Sequence, residues 1–212
     1  MKNNITEIVF ILDRSGSMAG FESDTIGGFN AAIAKQKKLD GTCYVSTVLF
    51  SGDSEVLHDR VPLETIRPLT EDDYTVGGCT ALLDAVGSAI HHIGNIHKYA
   101  RPEDVPEHTI FLITTDGMEN ASRRFDSDTV KNMVKRQTEK YGWEFIFLAA
   151  NIDAVKTAGT IGIRKERAAN FEQNAPSMEL CYEAMADAIV SVRRSESLDR
   201  SAWRRKLDKK QK

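Results

Sequence analysis

The sequence predicts a doubly wound α/β domain: a mostly parallel sheet with one antiparallel edge strand and helices on both faces. Three observations lead there. Strand-like and helix-like segments alternate along the 212 residues. Three of the strand segments are apolar almost throughout, as in strands covered on both faces. One further pair is separated only by a tripeptide turn, which makes the two strands antiparallel neighbours. With 41% apolar residues the chain is long enough for one sizeable core and short for two.

The elements follow in order. EIVFIL (7–12), HTIFLITT (108–115) and WEFIFLAA (143–150) are the continuously apolar runs, rich in β-branched and aromatic residues. YVSTVLF (44–50) and SEVLHDRV (54–61) flank the turn SGD and form the hairpin that supplies the antiparallel edge. Between strands, Ile26, Phe29 and Ile33, then Leu83, Val86, Ile90 and Ile93, repeat every three or four residues and make apolar helix stripes. A third helix runs through Val130, Met133 and Val134 with Asp126 or Ser127 as its cap. The last follows Pro176 and carries Met178, Tyr182, Met185, Ile189 and Val192.

From Ser195 the periodicity fails, and the expected division is a domain over 1–196 and a basic tail over 197–212, read as a solvated terminus. The net charge of −3 argues against a dedicated nucleic-acid binder. There is neither a long apolar run nor an N-terminal signal pattern, so the expectation is a cytoplasmic protein without a membrane partner. Cys43, Cys79 and Cys181 form no CxxC pair and suit a reducing compartment.

In such a sheet, ligands sit outside the carboxyl ends of the strands. The first end carries DRSGSM (13–18), where Asp13, Ser15 and Ser17 recur every second residue and leave one side of an extended loop. A carboxylate with hydroxyls is an oxygen set for a hard cation, whereas zinc would ask for thiolate or imidazole. The same pattern also serves as a turn or helix cap. GGCTALLDA (77–85) brings Thr80 to the mouth of the second helix, and ITTDGMEN (113–120) ends an apolar strand at Asp116.

Together DRSGSM, GGCTAL and TTDG resemble the von Willebrand factor A domain, in order and spacing over about residues 5–195. The resemblance implies a metal-ion-dependent adhesion site in which Asp13, Ser15, Ser17, Thr80 and Asp116 surround one divalent cation, magnesium first, with manganese or calcium as other hard ions. It further implies that the serines bind directly, that the aspartates often act through water, and that a partner protein's Glu or Asp carboxylate completes the ion's shell. The SGSM ending makes the chain similar to small stand-alone intracellular bacterial members, including those that accompany tellurite-resistance genes or MoxR-type ATPases. The implied role is a non-enzymatic adaptor in a bacterial stress-response complex, with an AAA-type ATPase among the candidate partners.

Rival readings attach to particular residues. Asp13 could accept a phosphoryl group as in haloacid-dehalogenase-type phosphatases, which use D-x-D, but Ser15 stands where the second acid belongs. Neither serine lies in G-x-S-x-G. Arg200, Arg204, Arg205, Lys206, Lys209 and Lys210 could hold phosphates, with Trp203 available to stack on a base. His91, His92 and His97 lack the spacing of three or four that pairs ligands on one helical face, and are expected at a partly exposed helix end. Arg14 and Met18 are expected to shape the rim, with core packing as the other reading of Met18; Glu22 and Glu119 are expected to be loop charges, and Asn151 and Asp153 to cap a helix there.

Overall fold

A computed structural model describes residues 4–196, 198, 203–205 and 207. Six strands form one sheet in the order β3-β2-β1-β4-β5-β6. They are β1 (Ile5–Asp13), β2 (Thr42–Phe50), β3 (Ser54–Pro62), β4 (His108–Thr115), β5 (Glu144–Ala149) and β6 (Ala168–Asn170). All neighbours are parallel except β2 and β3, so β3 is the antiparallel edge. The helices are α1 (Glu22–Gln36), α2 (Leu82–Tyr99), α3 (Ser127–Tyr141), α4 (Ala154–Thr160) and α5 (Ala175–Arg193).

Because side chains alternate across a strand, β1 feeds two cores. Ile8, Phe10 and Leu12 pack with Phe29 and Ile33 of α1 and with Met185 and Ile189 of α5. Val9 and Ile11 pack with Val86 and Ile90 of α2, Val130 of α3 and Ala158 of α4 on the opposite face. All five of those β1 residues are fully buried, which explains why the segment reads as continuously apolar. Helices α1 and α5 approach closely at Gly28, where an added β-carbon would lie 2.2 Å from the Tyr182 ring.

The strand order reverses between β1 and β4, and such a switch point opens a crevice at the carboxyl ends of the two strands. Asp13 ends β1 and Thr115 ends β4, so the first and third motifs meet there. At the other end of β1, Glu7 is fully buried and accepts from Arg60 Nε at 2.8 Å and from His97 Nε2 at 2.6 Å. His97 is therefore a packed partner of the sheet, edge-on to Trp143, rather than part of an exposed helix end. Helix α2 descends the whole sheet, and its last turn reaches the opposite rim.

The C-terminal segment departs from the expected solvated tail. Leu198, Trp203 and Leu207 are 5%, 2% and 3% exposed and join the α1/α5 core. Arg204 donates to the carbonyls of Lys165 and Ala168, at the start of β6. Trp203 is thus not available to stack on a base, because the apolar area it covers outweighs exposure of its ring. Arg200, Lys206, Lys209 and Lys210 lie outside the described residues. Among the described residues no helix is long and apolar enough to cross a membrane.

Candidate metal centre

The first ligand loop leaves the sheet at Asp13, whose carboxylate is fully buried. Its Oδ1 accepts from the Ser15 N–H at 2.7 Å and its Oδ2 from the Thr115 hydroxyl at 2.6 Å. Beneath it, the buried Tyr74 hydroxyl donates to the Asp13 carbonyl. The chain then enters a 3-10 turn, Gly16–Met18. That turn is tied to the second loop by Gly16 N–H donating to Gly78 O at 3.0 Å and Gly77 N–H to Arg14 O at 2.8 Å. Gly78 has φ +82°, a left-handed conformation that favours glycine over any residue with a β-carbon.

The five sequence-predicted residues converge. Ser15 Oγ lies 3.1 Å from Ser17 Oγ, and Ser17 donates to Asp116 Oδ1 at 2.6 Å. Thr80 joins through Gly117, where an added β-carbon would sit 3.1 Å from Thr80 Oγ1 and 3.3 Å from Ser17 Oγ. Thr80 is fixed by reciprocal bonds, its N–H to Asn120 Oδ1 at 2.9 Å and its carbonyl from Asn120 N–H at 3.0 Å. Ser17 is exposed, while Asp13, Ser15, Thr80 and Asp116 are buried, so the cluster opens to solvent on the Ser17 side.

Two residues outside the sequence-predicted ligand set complete the arrangement. Thr115, a strand residue by composition, holds one oxygen of Asp13. Gln173, in the loop between β6 and α5, donates to Asp116 Oδ2 at 2.7 Å and to the Ser17 carbonyl at 2.9 Å, and accepts from Asn151 Nδ2 at 2.5 Å. Only the fold brings Gln173 to this rim, since it lies 57 residues from Asp116 in sequence. Asn151 belongs to the same network, whereas Asp153 caps α4 by accepting from Lys156 N–H at 2.9 Å.

Glu119 is neither a loop charge in solvent nor placed as a ligand. Its Oε2 accepts from Leu83 N–H and the Ser122 hydroxyl, and its Oε1 from the N–H groups of Ala121 and Ser122. It neutralises open donors in the first turn of α2. Arg14 turns away to pair with Glu55 at 2.7 Å, and Glu22 accepts from Gly20 N–H. Cys79 is exposed on the second loop, and Cys43 and Cys181 are buried and unpaired.

The electrostatics follow from this geometry. Burial pushes the Asp13 carboxyl above its ordinary range, against the lowering effect of its bonds from Ser15 and Thr115. Burial also raises Asp116, opposed by the Ser17 bond, and the nearby charge of Asp13 adds to the rise. No lysine, arginine or histidine among the described residues forms an ion pair with either. Nor do the described residues include three or more His, Cys, Asp or Glu side chains grouped to hold a metal. The donors are instead two acids and three hydroxyls, an all-oxygen set that fits a hard divalent cation and not a soft one.

Neither a family model nor a curated protein sequence matches the chain. Solved structures do resemble it. Proximal thread matrix protein 1 from the mussel byssus superposes over 89% of this chain with a TM-score of 0.57 and 14% identity. The ArnB paralog VWA2 of Sulfolobus acidocaldarius covers 93% at 0.52 and 18%, and a von Willebrand factor type A protein from Catenulispora acidiphila covers 86% at 0.55 and 12%. The chain spans 46%, 46% and 42% of those three structures. Sheet order, antiparallel edge and these likenesses agree: the chain has the von Willebrand factor type A fold.

Proposed function

We propose that the protein is a metal-dependent protein-interaction module whose divalent cation, held by Ser15, Ser17 and Thr80 together with Asp13 and Asp116, recruits a carboxylate from a partner protein. One observation carries the reading. Three loops that are remote in sequence bring together three hydroxyls and two carboxylates that have no ion pair among the described residues, at the switch of the sheet. A cation there would be offset by only two acids and would keep affinity for an anionic oxygen from outside. When bound, it would supply Lewis acidity toward that oxygen; the chain itself supplies orientation and a rigid stem.

Phosphoryl transfer through Asp13 is the weaker reading. It lacks the second acid of the D-x-D pattern, since Ser15 stands there, and the nearest other carboxylate of the cluster, Asp116, is engaged by Ser17 and Gln173. The interaction reading is tested in two steps. Magnesium or manganese should raise the melting temperature of the wild type, and Asp13→Ala combined with Ser15→Ala should remove the response. Displayed peptides selected on the protein in magnesium should then enrich Asp or Glu, and selection in chelator or on Thr80→Ala should not. Equal melting with metal and with chelator would count against the site.

A further inference from the structure

We infer that Gln173 is a specificity-determining residue of this site: by holding the outer oxygen of Asp116 it favours a small octahedral cation over calcium. The inference rests on the metal reading above and concerns which ion the site prefers. Its basis is a pattern in the hydrogen bonds. Each of the four carboxylate oxygens in the cluster accepts from a separate protein donor: Asp13 Oδ1 from Ser15 N–H, Asp13 Oδ2 from Thr115, Asp116 Oδ1 from Ser17 and Asp116 Oδ2 from Gln173.

A carboxylate whose two oxygens each hold a separate protein donor has fewer lone pairs left for an ion, and turning both oxygens toward one ion strains those bonds. Calcium commonly takes about six to eight oxygens and uses carboxylates in the bidentate mode, whereas magnesium takes six in a rigid octahedron and keeps water. The bridled pair therefore suits the smaller ion. Three of the four donors are inseparable from the ligand loops, since they belong to Ser15, Ser17 and the last residue of β4. Gln173 alone comes from elsewhere, the loop ahead of α5, and it is the donor on the more exposed of the two acids.

The bond is itself oriented. Gln173 Oε1 accepts from Asn151 Nδ2, which fixes the amide so that its NH2 group faces Asp116 and the Ser17 carbonyl. Asn151 holds φ +56°, a conformation asparagine tolerates better than most residues. Removing the Gln173 amide frees Asp116 Oδ2 to rotate toward an ion, and removing Asn151 lets the amide turn.

The test compares magnesium and calcium binding to the full chain by titration calorimetry, with melting in chelator as a check of folding. For Gln173→Leu, which keeps bulk and removes the donor, the ratio of calcium to magnesium dissociation constants should fall by about tenfold, because bidentate binding becomes open. Asn151→Ala should move the ratio the same way by a smaller factor and serves where the leucine variant fails to fold. A wild-type preference for magnesium that is unchanged in both variants overturns the role of Gln173 and leaves the metal site standing. Proportional weakening of both ions also overturns it, since a merely structural contact predicts that result. Wild-type protein that binds neither ion overturns this inference and the proposed function together.

Discussion

Glu7→Gln isolates a fully buried carboxylate that faces two basic partners. Glu7 is 0% exposed, and its two partners, Arg60 and His97, have side chains 21% and 10% exposed. Glutamine keeps the shape and one acceptor but removes the charge that both partners face. Breaking a buried pair costs about 3–5 kcal/mol, and the partial solvent access of Arg60 puts this case near the lower end, about 3 kcal/mol. For a urea slope of about 2 kcal/mol/M, the unfolding midpoint should fall by about 1.5 M with the slope unchanged. Urea unfolding at pH 7 followed by far-UV circular dichroism reads this directly. Asp104→Asn, which breaks the exposed Arg101–Asp104 pair, is the control and should leave the midpoint in place. A shift for Glu7→Gln no larger than that of the control would refute the reasoning. So would loss of the magnesium response, because Glu7 lies at the opposite end of β1 from Asp13.

Truncation after Glu196 removes Leu198, Trp203 and Leu207 from the core and should lower the melting temperature clearly, whereas a solvated arm would leave it unchanged. Acid should cost stability through His58. It is half-buried and stacked on Phe29, and burial, with Arg67 adding and Asp73 opposing, lowers its pKa below the ordinary 6.5. The unfolded chain then takes up a proton that the folded chain resists, so stability is full above pH 6.5 and is lost as pH falls from 6.5 toward the folded value. His58→Gln should flatten that limb in unfolding free energies measured from pH 7.5 to 5, and an unaltered limb would argue against the assignment.

The sheet was legible where burial on both faces leaves an unbroken apolar run, as in β1, β4 and β5. Strand β6 was not, because three residues, Ala168–Asn170, are too few for any period to register. Helix α4 escaped for a similar reason: seven residues offer only Ala154 and Ala158 as a buried repeat. At the site, the ligand candidates announced themselves because hydroxyls and acids at strand ends break an apolar pattern. Thr115 did not, since threonine is an ordinary strand former, and its role appears only once β4 lies beside β1. Gln173 and Glu119 depend on loop paths that local sequence does not encode. The burial of Trp203 was not legible, because a basic neighbourhood says nothing about which face of a tryptophan is covered.

The clamp made by Glu119 changes how mutations around the cluster should be interpreted. Its two oxygens fasten the stretch after Asp116 to the first turn of α2, and Asp84 adds bonds from the N–H groups of Arg123, Arg124 and Phe125. The second and third ligand loops are thereby one mechanical unit, with Thr80 and Asp116 riding on it together. An alanine at Glu119 would loosen both at once and mimic the loss of two ligands, although the hydrogen bonds of its carboxylate go to Leu83, Ala121 and Ser122 and not to the cluster. Scanning data here separate into lost donors and lost scaffolding only when each variant is also unfolded without metal: loss of the exposed Ser17 hydroxyl should change that baseline little, and a removed clamp should lower it.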